Sequence, residues 1–110
     1  MEITVELRGD TKILRPAGRL DFESSKVFQA RVLDEVSGSA GLCVVDATEL
    51  SYVSSAGLRA FLVAAREAGR AGGSFSVCCL QPLVAEVFEL SGFKQIIPFH
   101  DDLEAALNHG

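Results

Sequence analysis

Two carboxylates and a pair of hydroxyls stand where strand-like patterns give way to helix-like ones: Asp21, Asp46 and the serine pair Ser54-Ser55. In VVDATELSYVSSAGLRAFLVAA, residues 44–65, an apolar run ends in Asp46 and a short polar loop follows. The serines then precede an apolar stripe at helical spacing. This puts a hydroxyl at the start of a helix, just beyond the end of a buried strand. Backbone N–H groups lack partners there and the helix dipole is positive, so added negative charge is favoured. Such a serine is either an ordinary helix cap, worth about 1 kcal/mol, or an acceptor for a phosphoryl group. In open α/β sheets, ligands collect beyond the carboxyl ends of the strands, and Asp21 can reach that same end. Two carboxylates beside a hydroxyl could position it or hold a metal with a phosphoryl donor. As plain turn and cap residues they would do neither.

Other chemistry-bearing residues offer less. Cys78-Cys79 is a vicinal pair in a strand pattern, where successive side chains face opposite ways, so both are expected to pack. His100 and His109 are isolated, with no spacing that suits a metal site. No Gly-x-Ser-x-Gly elbow surrounds either serine. The glycines from Gly69 to Gly73 lack the Lys-Ser/Thr of a phosphate loop. No nucleophile–base pair is legible, so no enzymatic activity, metal or cofactor is expected. Phe22, Tyr52 and Phe93 are either packed beneath loops or part of an apolar contact surface.

The elements that must position these residues follow in order. Ile3, Val5 and Leu7 alternate with polar residues, which predicts a strand with one wet face. Gly9-Asp10 makes a turn into a second strand over 11–17, giving a hairpin. Pro16 places that strand at an edge or marks its end, and Gly18 breaks it. Asp21 or Ser24 caps a first helix over roughly 22–36, with Phe28, Val32 and Val36 on one face. Ser37-Gly38-Ser39-Ala40-Gly41 closes it. Leu42–Val45 is apolar without alternation, as suits a strand covered on both faces. A second helix spans 55–69, with Leu58, Phe61, Leu62 and Ala65 on one side. Residues 75–80 form another buried strand. Pro82 opens a third helix. Ile96-Ile97 reads as a short strand that Pro98 terminates, and Asp101-Asp102 starts a final short helix. The order β-β-α-β-α-β-α-β-α predicts an α/β fold: a mixed, mostly parallel sheet of about five strands with about four helices.

Composition agrees. The 110 residues are 48% apolar and 23% charged, enough for a real core, and the length predicts one domain over 1–110. The net charge of -5 makes nucleic acid and anionic membranes poor partners. Cys43, Cys78 and Cys79 form no spaced framework, which suits buried thiols in a reducing compartment. No signal peptide or membrane span is legible, so a cytoplasmic location is expected.

Four stretches carry a family resemblance. They are Gly18-Arg19-Leu20-Asp21, the run Val44 to Leu50, Val53-Ser54-Ser55-Ala56-Gly57-Leu58, and Leu90-Ser91-Gly92-Phe93. In that order and over nearly the whole chain, they resemble the STAS domain, especially the stand-alone anti-sigma factor antagonists of bacteria. The resemblance implies the STAS fold and a non-enzymatic binding protein that works by partner switching in transcription regulation. Its partners would be an anti-sigma factor serine kinase, ATP-binding and with a histidine-kinase-like fold, and a PPM-type serine phosphatase. The phosphate acceptor implied by position is Ser55. The residue before the acceptor, commonly Asp in the family, is Ser54 here, which makes Ser54 a second candidate. The position after it, often Ser or Thr, is Ala56. Asp21, Asp46, Ser54, Ser55, Gly57, Leu58 and Arg59 are the implied partner-binding residues. An alternative within the same fold is a non-phosphorylated adaptor, such as the STAS subunit of a lipid transport ATPase.

Overall fold

The computed structural model describes residues 1–38 and 40–109, so Ser39 of the expected loop and the side chain of His109 fall outside it. The opening hairpin pairs β1 (Glu2–Arg8) antiparallel with β2 (Thr11–Leu20), from Arg8↔Thr11 to Glu2↔Ala17. β2 is longer than the sequence pattern suggests because it serves two further partners. Lys12–Leu14 pair in parallel with β3 (Leu42–Asp46), while Gly18–Leu20 pair in parallel with β4 (Leu50–Val53). Pro16, which has no N–H to give a ladder, sits between these two pairings. It marks a change of partner rather than an edge or an end. Gly18 does not break the strand either. It takes φ 109°, open to glycine and rarely to other residues, where the β2–β4 register shifts.

β3 pairs with β5 (Ser74–Cys78), and β5 with β6 (Phe99–His100), both in parallel. The sheet order is β1-β2-β3-β5-β6, with β4 joined to β2 beside that path. The α/β class and the mostly parallel sheet stand as expected, with two local differences. The segment 50–53, expected as part of a polar loop, is a sixth strand: Leu50 and Val53 are buried while Ser51 and Tyr52 face outward. The last strand is not Ile96-Ile97 but Phe99–His100. Phe93–Gln95 forms a 3-10 turn that carries Ile97 into the core. The carbonyl of Pro98 accepts the Val77 N–H at 3.1 Å, so Pro98 precedes the strand instead of ending it.

Four helices complete the chain: α1 (Phe22–Val36), α2 (Ser55–Arg70), α3 (Pro82–Leu90) and α4 (Leu103–His109). The main core joins Phe28 and Val32 of α1, Phe61 and Ala64 of α2 and Val84 and Phe88 of α3 to Leu14, Val45 and Val77 of the sheet. Phe61 lies at its centre, with ring centroids 5.0 Å from both Phe28 and Phe88. Val44, one residue before Val45, belongs to a separate cluster with Cys78 and Ala106 of α4. Adjacent residues of β3 are therefore buried on opposite faces, which explains its unbroken apolar run. Leu83 and Leu90 lie on the outer side of α3 and are exposed. Among the described residues, no helix is long and apolar enough to cross a membrane.

Candidate functional site

The ends of β2 and β4 lie side by side, with Leu20 opposite Val53. The residue after each strand caps a helix, and the Ser54 N–H donates to the Leu20 carbonyl at 2.8 Å. The mouths of α1 and α2 are thus tied together at one end of the sheet.

Asp21 caps α1 in a reciprocal box. Its carboxylate accepts the Ser24 N–H at 2.9 Å, and its own N–H donates to the Ser24 hydroxyl oxygen at 2.9 Å. The Ser24 N–H and hydroxyl hold the Asp21 carboxyl below the usual carboxylate range. Asp21 remains exposed and negative at the rim.

Ser54 and Ser55 differ sharply. Ser54 is the N-cap of α2, extended at φ -91° and ψ 174°, and its Oγ accepts the Gly57 N–H at 3.2 Å. Ser55 is the first helical residue and is exposed. Its hydroxyl makes no hydrogen bond among the described residues. The first turn of α2 contains no acidic residue, so the positive end of its dipole has no carboxylate of its own helix to offset it.

Gly57 makes this placement sterically feasible. It is buried, and a Cβ there would come 2.8 Å from both Leu20 Cδ2 and Val53 Cγ2. The helix can begin hard against the two strand ends only because nothing projects at this position. Leu58 packs on the main core, while Arg59 is exposed on the next turn. Beside the site, the Arg19 guanidinium lies 4.1 Å from the centroid of the exposed Tyr52 ring. Phe22, at the start of α1, is also exposed, whereas Phe93 packs against the core.

Asp46 is largely buried, 8% exposed, and its carboxylate accepts from Thr48 N–H at 3.1 Å, Thr48 Oγ1 at 2.6 Å and Arg15 Nε at 3.2 Å. Arg15 continues to Glu6 at 2.7 Å, so a carboxylate–guanidinium–carboxylate row crosses β3, β2 and β1. Burial alone would raise the Asp46 pKa. The Thr48 hydroxyl and N–H and the Arg15 guanidinium outweigh it and hold the carboxyl below its ordinary 3.8. Asp21 and Asp46 are thus each engaged as cap and turn residues, the one by Ser24 and the other by Thr48 and Arg15. Sequence reasoning missed Arg15 and Thr48. The Asp-x-Thr spacing of a side-chain turn could have flagged Thr48, but no local pattern marks Arg15.

The cysteine pair also departs from expectation. β5 ends at Cys78, and Cys79 turns into the left-handed region at φ 68°. The two thiols consequently lie on the same side, with their sulfurs against each other. Both sulfurs and an Asp46 carboxylate oxygen fall within 4.8 Å of one another.

With this mixed sheet and the two capped helix mouths beside its strand ends, residues 2–106 match the STAS domain family. The chain belongs to that family. It is 33% identical over 106 residues to the "Putative anti-sigma factor antagonist BtrV" of Bordetella bronchiseptica, covering 96% of this chain and 91% of that protein. Among solved structures it is similar to an anti-sigma factor antagonist from Mycobacterium paratuberculosis, with TM-score 0.87, 19% identity, and coverage of 97% of this chain and 91% of the other. It is similar in fold also to the Bacillus cell fate determinant SpoIIAA. The unphosphorylated form gives TM-score 0.81 at 21% identity, covering 97% of this chain and 94% of the other. The phosphorylated form gives 0.73 at 21% identity, covering 97% of each chain.

Proposed function

We propose that this protein is a cytoplasmic, non-enzymatic anti-sigma factor antagonist. It docks on a serine-kinase anti-sigma factor through the joined mouths of α1 and α2, and phosphorylation of Ser55 releases it until a PPM-type phosphatase removes the group. One observation supports the choice of Ser55. Of two adjacent serines, Ser54 has its oxygen engaged by the Gly57 N–H, while Ser55 presents an exposed hydroxyl without a hydrogen bond. The 33% identity to BtrV supports the antagonist role.

A phosphoryl group adds about -1.5 to -2 charges. At the mouth of α2 the dipole favours it by about 0.3–1 kcal/mol, so the fold tolerates the modified residue. A partner shaped for a neutral serine instead meets new charge at a rim that already carries the exposed Asp21. Like-charge contact at an interface costs several kcal/mol, and each 1.4 kcal/mol is about a tenfold change in affinity. The larger effect is on binding, so association is lost while the fold persists. Arg59, exposed one turn below, adds a cation to the docking surface.

Incubation with ATP and the cognate kinase, followed by intact-mass measurement, tests the assignment. Wild type should gain one phosphoryl group, Ser54→Ala should still gain it, and Ser55→Ala should not. Phosphorylated protein should bind the kinase at least about a hundredfold more weakly. Label that persists on Ser55→Ala and vanishes on Ser54→Ala would assign the switch to the capping serine instead.

A further inference from the structure

We propose that Cys78 and Cys79 form a vicinal dithiol that hydroperoxides close reversibly to a disulfide, making the carboxyl end of β5 a redox modification site. The geometry is particular to this place. In a continuing strand, successive side chains point to opposite faces and neighbouring sulfurs cannot meet. Here the strand stops at Cys78, and the left-handed turn at Cys79 brings the second thiol back beside the first. Left-handed backbone at a residue with a Cβ is unfavourable, and packing alone does not call for it, since glycine would adopt the same turn without strain. The turn is held by the Cys79 N–H, which donates to the His100 carbonyl at 3.2 Å.

Charge favours this chemistry over cation binding. The nearby Asp46 carboxylate is already balanced by Arg15 at 3.2 Å, so a metal ion on the two sulfurs would face a fixed guanidinium beside its third ligand. Oxidation instead converts two neutral thiols into a neutral disulfide and leaves the Asp46–Arg15 pair undisturbed. Cys79 is partly exposed and Cys78 is buried, which sets the order of events. Cys79 loses its proton and its sulfur attacks the peroxide. The O–O bond breaks, the distal oxygen leaves as water from hydrogen peroxide or as an alcohol from an organic hydroperoxide after taking up a proton, and Cys79 becomes a sulfenic acid. The Cys78 sulfur then attacks Cys79 Sγ, an S–S bond forms, the S–O bond breaks, and hydroxide leaves with the Cys78 proton as water. Two thiols are oxidised by two electrons and one hydroperoxide is reduced. Burial pushes the Cys79 thiol up, which slows the first step; the adjacent Cys78 makes the second step local. Cα atoms of neighbouring residues are about 3.8 Å apart, below the usual disulfide span of roughly 4.4–6.8 Å. The resulting ring is strained and so easily reduced, as suits a reversible mark.

The native protein is treated with hydrogen peroxide, then unfolded, alkylated with iodoacetamide and digested with trypsin without reductant. Residues 71–94 form one tryptic peptide that holds both cysteines, while Cys43 falls in another. The expected result is a 71–94 peptide lighter by two hydrogens and free of alkylation, restored to two alkylated cysteines by dithiothreitol before the alkylation. Cys79→Ser should abolish the mass loss and leave Cys78 alkylated. Two alkylated or oxygenated cysteines in the treated wild type, with no closed ring, would overturn the proposal. So would finding the disulfide only between chains on a non-reducing gel.

Discussion

Ser54 and Ser55 carry the same side chain on adjacent residues, and the backbone alone separates their tasks. Ser54, extended, turns its oxygen back over the first turn of α2 to meet the Gly57 N–H. Ser55, already helical, points outward. Stability should register the difference. Ser54→Ala removes a cap and is expected to cost about 1 kcal/mol, with Ser54→Asp largely preserving it, since aspartate caps as well as serine. Ser55→Ala should stay within about 0.5 kcal/mol of wild type. Urea unfolding of the three variants checks this; equal losses in the two alanine variants would mean that the oxygens are not divided in this way. The serine pair and its place at a helix start were legible from residue type and spacing, and Asp21 was one of two cap candidates with Ser24. Which serine caps was not, because that depends on a single pair of dihedral angles.

Among elements, the close seat of α2 on the ends of β2 and β4 depends on Gly57. Gly57→Ala would push a methyl into Leu20 and Val53, each 2.8 Å from its Cβ. A cost of about 1–3 kcal/mol is expected, typical of overpacking, against the small gain alanine normally brings to a helix interior. Thermal and urea melts check the sign; a neutral or stabilised variant would show that the seat is loose. The long helices were readable because their apolar stripes run for several turns. β4 was not: with four residues and two of them outward, Leu50–Val53 carries too little pattern, and its strand character comes from pairing with β2. The end of β5 was misread for a similar reason. Nothing local in Cys78-Cys79 announces that the second residue reverses its handedness.

For the molecule as a whole, the charged row Glu6–Arg15–Asp46 links three strands across the sheet. Because the folded pKa of Asp46 lies below its unfolded one, its contribution is fully present above the unfolded value. It is lost as pH falls through the folded value. Asp21 and Glu6 shift the same way, but both are open to solvent and screened. Urea midpoints between about pH 6 and about pH 3 should therefore fall on acidification. Asp46→Asn should start lower and fall less steeply. Parallel curves for the two proteins would assign the acid sensitivity elsewhere. This row escaped sequence reading because its members are far apart along the chain and meet only through strand order.

The hydrogen bond from Ser54 to the Leu20 carbonyl has one more effect. It clips two independent spirals to a single ribbon, so neither entrance can drift without dragging its neighbour. Under the proposed function, a regulator gripping one doorway would meet the other as a fixed landmark, and a bulky anion added at the second would be held at a constant angle.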